Sequence, residues 1–161
     1  MSHRLPVCAL ALLLIAPIAA AAQGSTRPLL TKYVGTPRSY EMLKEPTVRP
    51  QLEALLGKQL PTLMRNLDVR SDVDLIGGAL AIDGNANHKG GEEEAIVCIS
   101  DTAPVPLVEA AILSKGRVTI FAKAHQYEFL MLCVKDWVTQ VNSGHRDRFT
   151  QPKNVQLISK P

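Results

Sequence analysis

The residues of this chain that could do chemistry lie in one polar stretch, in which His88 is followed by Glu92, Glu93 and Glu94. An imidazole next to carboxylates offers metal ligands, or a general base and a general acid. In a strand, however, Glu93 points away from its two neighbours. No second histidine stands at ligand spacing, and no GxSxG, HExxH or phosphate-loop motif occurs. We therefore predict no catalytic residue, no metal site and no cofactor. A secreted metal-binding protein or small hydrolase using His88 with these glutamates stays an alternative.

The same stretch has the composition of a binding loop. Glycines give its backbone freedom, and asparagines favour turns and tolerate left-handed conformations. Loops between strands of a rigid scaffold often carry binding residues. A plain solvated turn is the alternative, and it would fit a structural envelope protein. We predict that the partner-binding residues are Asn85, Asn87, His88, Lys89, Gly90 and Gly91.

The first residues have the order of a secretory signal peptide. Arg4 precedes an almost wholly apolar run at residues 5–18, and four alanines follow at residues 19–22. An apolar run of roughly fourteen residues is too short to span a bilayer comfortably. We predict cleavage near Ala22 and a periplasmic or secreted product, residues 23–161, with no stable membrane insertion.

The composition favours one globular domain and argues against a nucleic-acid partner. The mature length suits a single domain with a core of its own. A formal net charge of +3 over 161 residues, without a lysine or arginine cluster, does not indicate a polyanionic partner. An aromatic content of 4% further weakens any base-stacking interpretation. A homodimer is left open.

Hydrophobic periodicity predicts an α+β fold. An antiparallel sheet of about four to five strands is covered by short N-terminal helices and by one long C-terminal helix. Gly77 and Gly78 are interpreted as a bulge or bend inside a strand, and Trp137 is expected to pack on the sheet. The predicted helices are residues 47–57, 61–66 and 126–141, and the predicted strands are residues 73–83, 95–100, 107–114, 117–122 and 155–158.

Two cysteines, Cys98 and Cys133, remain after the predicted cleavage. In an oxidising compartment they could form a disulfide, provided that their Cα atoms come within about 7 Å. Each also stands among apolar neighbours, where a free thiol behaves as a small hydrophobic side chain. Both states stay open.

Three segments resemble the inhibitor of vertebrate lysozyme family of bacterial periplasmic proteins. Residues 57–61, GKQLP, match its Gly-x-x-Leu-Pro step, residues 85–91 fall on its loop Cys-Lys-Pro-His-Asp-Cys-Gly, and residues 95–97 fall on the apolar strand that follows. Within the loop only His88 and Gly91 are identical. Asn85 and Gly90 replace the two cysteines, and Lys89 replaces the acid.

The resemblance implies a function as well as a fold. In that family the loop inserts into the lysozyme cleft, where its histidine and acid address the catalytic carboxylates. The implied partner is a lysozyme or another cell-wall hydrolase, and the implied role is that of an inhibitor, not an enzyme. Without the loop cysteines, this loop is expected to be less preorganised, which would cost affinity.

Overall fold

We describe the fold from a computed structural model, which covers residues 29–102, 104–142 and 144–160. The predicted signal peptide and its cleavage point lie outside the described residues. Seven strands of the described chain form one sheet: β1 Val69–Arg70, β2 Asp74–Ile76, β3 Ala79–Asn85, β4 Glu93–Ser100, β5 Leu107–Ser114, β6 Arg117–Ala122 and β7 Val155–Ser159. Its helices are α1 Ser39–Leu43, α2 Arg49–Leu56, α3 Leu60–Arg65 and α4 Leu132–Val141.

The sheet has the order β1-β3-β4-β5-β6-β7, with β2 also paired to β3. Neighbouring strands are antiparallel, except that β7 runs parallel to β6 at the edge. The α+β class is confirmed, and β5 and β6 have the predicted bounds. The count of four to five antiparallel strands is too low, because β1 and β2 are two and three residues long. Strands so short carry no readable periodicity.

Gly77 and Gly78 form a hairpin turn, so the interpretation as a bulge or bend within one strand was wrong. Their φ angles are +60° and +81°, and the chain reverses there between β2 and β3. Two consecutive positive φ angles define the type I′ turn that suits the twist of a two-residue hairpin. A Gly-Gly pair between two apolar segments was therefore the hairpin signal itself.

The N-terminal helices lie close to their predicted positions. Helix α2 has Pro50 in its first turn and is followed by Gly57 at φ +51°. It starts two residues later than predicted, with the N-cap position on Val48, which makes no side-chain capping bond. Leu52 of α2 is fully buried.

The C-terminal helix is shorter than predicted. A 3₁₀ turn at Tyr127–Phe129 is followed by Leu130 and Met131 in extended conformations, and α4 then runs for ten residues. The Met131 N–H donates to a carboxylate oxygen of Glu109 at 2.8 Å. A backbone donor bonded to that acceptor, 22 residues away in sequence, has no place in a continuous helix, which explains why α4 starts late.

Helices cover both faces of the sheet. Ala95, Val97 and Ile99 of β4 pack in a cluster with the residues of α1 to α3, whereas Ile96 and Cys98 pack in a cluster with α4. A strand buried on both faces shows a nearly continuous apolar run, and residues 95–99 of β4 are all buried. Trp137 is 3% exposed within the α4 cluster, which confirms its predicted place on the sheet.

Cys98 and Cys133 are joined in a disulfide with a Cα–Cα distance of 6.3 Å. Both residues are buried, so the bond links the middle of β4 to the first turn of α4 inside the core. A cross-link of this kind restricts the unfolded chain and holds the covering helix on the sheet. Of the two states that the sequence left open, the structure has the disulfide.

Candidate functional site

The candidate loop connects β3 to β4 and occupies residues 86–92. The two strands pair as far as Asn85 opposite Glu94, so the loop rises directly from the end of a paired ladder. Gly84 is needed at this end, because a Cβ atom there would lie 2.8 Å from the Cα of Arg70. The glycine thus allows β1 to pair closely with β3 at the base of the loop.

Two successive tight turns form the loop. In the first, the N–H of Lys89 donates to the carbonyl of Ala86 at 2.9 Å, and His88 has a φ of +59°. In the second, the N–H of Glu92 donates to the carbonyl of Lys89 at 3.0 Å, and Gly91 has a φ of +82°. A positive φ at the third residue of a turn is the mark of type II. His88 therefore stands at a tightly constrained backbone position.

Further hydrogen bonds close the base of the loop. The N–H of Ala86 donates to the carbonyl of Glu93 at 2.9 Å, and the side-chain amide of Asn85 donates to the carbonyl of Ala86 at 2.8 Å. The N–H of Gly91 donates to the Glu94 carboxylate. These bonds restrain a loop that lacks the family's two cysteines. The sequence-based expectation of poor preorganisation took no account of them.

The six predicted binding residues divide into a tip and a base. Asn87, His88, Lys89, Gly90 and Gly91 are exposed, so a partner can reach all five. Asn85 is half-buried and is the last residue of β3, and its amide bonds inward. Asn85 thus belongs to the base of the loop, and the other five residues form its exposed tip.

The three glutamates do not converge on His88. Glu92 lies 3.5 Å from the Lys89 ammonium, and Glu93 lies 3.2 Å from the Arg65 guanidinium, while Glu94 accepts the backbone N–H of the loop. No three histidine, cysteine, aspartate or glutamate side chains of the described residues group as metal ligands do. The arrangement therefore gives the metal or hydrolase alternative no support.

Asn66 supports the base of the loop and was missed by the sequence reading. This fully buried side chain directly follows α3 and donates through Nδ2 to the carbonyls of Glu94 and Leu113, at 3.2 Å each. It thereby ties the end of α3 to the start of β4 and the end of β5. Only the spatial neighbourhood of these strand ends reveals that role, because 28 and 47 residues separate the partners in sequence.

The structure brings one distant histidine to the loop and keeps another away. His145 and Gly91 line the same open depression, of about 340 Å³, together with Gly116. Nε2 of His145 donates to the carbonyl of Thr150 at 2.7 Å, which holds the ring. His125 instead follows β6 and hydrogen-bonds Ser159, the last residue of β7, at the far end of the sheet. No sequence signal placed either of them.

A comparison with family models identifies the chain. The model described as inhibitor of vertebrate lysozyme (Ivy) matches residues 47–140. The chain belongs to this family. The matched range begins just before α2 and ends within α4, so it contains the whole β3–β4 loop and strands β1 to β6, but not β7.

Family membership favours inhibition over catalysis for this Ivy-family chain, since the members are inhibitors and not enzymes. No curated protein and no solved structure matches it. In the part of the chain that the structure describes, no helix is long and apolar enough to cross a membrane.

Proposed function

We propose that this protein is an exported inhibitor of lysozyme-type muramidases and that it acts by inserting the loop around His88 into the enzyme cleft. The observation that carries the proposal is the exposed double turn, which presents His88 from the end of a paired ladder within the family-matched range. A projecting loop on a rigid sheet is suited to entering a concave site.

The chemistry of the loop tip suits a cleft that contains carboxylates. Muramidases cleave glycosidic bonds with a pair of carboxyl groups. The imidazole of His88 can donate a hydrogen bond to such a group, and the ammonium of Lys89 adds a charge-assisted donor. Occupying the carboxylates while filling the cleft would exclude the glycan substrate. Lys89 stands where the family pattern has an acid, so charge attraction to the carboxylates is stronger here.

The double turn lowers the entropic cost of binding. Ordering a loose loop on binding consumes part of the interaction free energy, whereas a loop already held by backbone hydrogen bonds avoids that cost. The bonds of Lys89 and Glu92 to the carbonyls behind them provide this order without a loop disulfide. The proposed inhibitor therefore does not depend on oxidation of its loop.

Export to the periplasm is part of the proposal and is supported by two observations. The first 22 residues have the pattern of a signal peptide. The buried Cys98–Cys133 disulfide fits an oxidising compartment, since such bonds rarely persist in the cytosol.

The test is inhibition of a c-type lysozyme by the mature protein, residues 23–161, in a cell-wall lysis assay. We expect inhibition, and His88→Ala should raise the inhibition constant by about tenfold or more, because it removes a hydrogen bond that becomes buried in the proposed complex. The matched control is His125→Ala, which removes an exposed histidine at the other end of β6 and should leave inhibition unchanged.

Equal inhibition by wild type and His88→Ala would contradict the loop mechanism. Absence of inhibition of every muramidase tried would contradict the proposed function itself. In either case circular dichroism must first show that the variants keep the wild-type fold.

A further inference from the structure

At the end of the molecule that carries the loop, the three glutamates each have a partner within the protein, whereas several cations do not pair with a carboxylate. Glu92, Glu93 and Glu94 are engaged with Lys89, Arg65 and the loop backbone, respectively. By contrast, three cations at this end are exposed, and among the described residues none of them pairs with a carboxylate. These three are Lys115, Arg117 and Lys153.

Strand register places these cations beside the loop. Glu93 pairs with Ser114 across β4 and β5, and Ser114 pairs with Arg117 across β5 and β6. The β5–β6 turn, which contains Lys115, therefore emerges at the same end of the sheet as the β3–β4 loop, two strands away from it.

The segment before β7 joins the same surface. The side-chain amide of Asn154 donates to the carbonyl of Gly116 at 3.0 Å, so Lys153 lies next to the β5–β6 turn. Arg117 and Lys153 also line one surface depression. We call Lys115, Arg117 and Lys153 the cationic rim.

We propose that the cationic rim selects the partner: this inhibitor is directed to muramidases whose cleft is bordered by acidic side chains. The proposal rests on the inhibitor function and adds the class of target. Lys89 at the loop tip is not counted in the rim, because Glu92 lies 3.5 Å from its ammonium.

The physical basis is electrostatic steering. A patch of one sign attracts a partner of opposite sign and raises the association rate by about tenfold to a thousandfold. The same patch slows encounter with a partner whose cleft border is basic. Charges at the edge of an interface act mainly on the association rate and are screened by salt.

The experiment measures association rates of the mature protein with two purified muramidases, one with acidic and one with basic residues around its cleft. Wild type should associate faster with the acidic enzyme, and the difference should shrink as ionic strength rises from about 0.02 M to about 0.5 M. The double variant Lys115→Glu/Arg117→Glu should lose about tenfold in association rate with the acidic enzyme.

The matched control is Lys123→Glu/Lys160→Glu, which makes the same change in net charge. Both residues are exposed and directly follow the far ends of β6 and β7. A six-residue strand separates the two pairs by roughly 20 Å, about twice the screening length of about 10 Å at 0.1 M salt. At that salt the control should associate like wild type.

The outcomes separate this proposal from the inhibitor function. Inhibition that requires His88 but shows no preference between the enzymes, or equal losses in both double variants, would overturn the rim's role alone. Failure to inhibit either enzyme would overturn the inhibitor function, and the rim's role with it. A thermal melt of each variant excludes loss of fold as the cause.

Discussion

At the scale of single residues, the backbone conformation of the loop determines which positions tolerate a substitution. His88 has a φ of +59°, a conformation that is uncommon for residues other than glycine but that asparagine, aspartate and histidine adopt more often than the rest. The sequence did predict a turn-rich loop with His88 exposed, because glycine and asparagine cluster there. It did not distinguish Gly90 from Gly91, since only the fold determines which one has the positive φ.

The two glycines make a matched pair for a test of the loop conformation. Gly91→Ala should cost about 1 kcal/mol in the loop, because its φ of +82° is unfavourable for any residue with a Cβ. Gly90→Ala should be tolerated, because a Cβ there meets nothing closer than 3.9 Å. We expect weaker muramidase inhibition and a free energy of unfolding lower by about 1 kcal/mol for Gly91→Ala, and neither change for Gly90→Ala. A similar loss of inhibition in both variants would mean that side-chain bulk at the tip, not the turn, is responsible.

At the scale of elements, sequence reading worked where contacts are local and failed where they are distant. Strands β5 and β6 were predicted with the correct bounds, because the Lys115-Gly116 turn separates two largely apolar segments. The start of α4 was not, because the acceptor that interrupts the helix is Glu109, on another strand. Pairing of Cys98 with Cys133 likewise depends on how α4 packs on β4.

Glu109 offers a test of how α4 is held. Burial raises the pKa of this carboxyl to about 7, although the Met131 N–H and the Lys135 charge act in the opposite direction. A folded-state pKa above the unfolded value means that stability is greatest below about pH 4.5 and falls until the pH passes about 7.

Glu109→Gln removes this charge while keeping the shape of the side chain. From pH 4.5 to pH 8, the free energy of unfolding of wild type should fall by about 3 kcal/mol relative to the variant. Urea melts at several pH values measure this difference. Parallel stability curves would mean that the carboxyl is not buried under the start of α4.

At the scale of the whole molecule, the sheet, which has helices on both faces, is a rigid support for the end that carries the candidate loop. Helices on both faces and a buried disulfide hold β3, β4 and β5 in place. The loop, the cationic rim and His145 lie together at one end of these strands. The sequence indicated the class of fold and the position of the loop. It could not show that residues 115, 117 and 145 lie at that end of the sheet, because strand register and the packing of α4 determine their positions.

The central claim is that the loop around His88 occupies the muramidase cleft, and competition tests it most directly. The measurement is the dissociation constant of the mature protein for a c-type lysozyme, with and without a saturating chitotriose that fills the cleft. We predict that the sugar displaces wild type and that His88→Ala binds weakly even without it. Binding that is tight, unaffected by the sugar and independent of His88 would contradict the account.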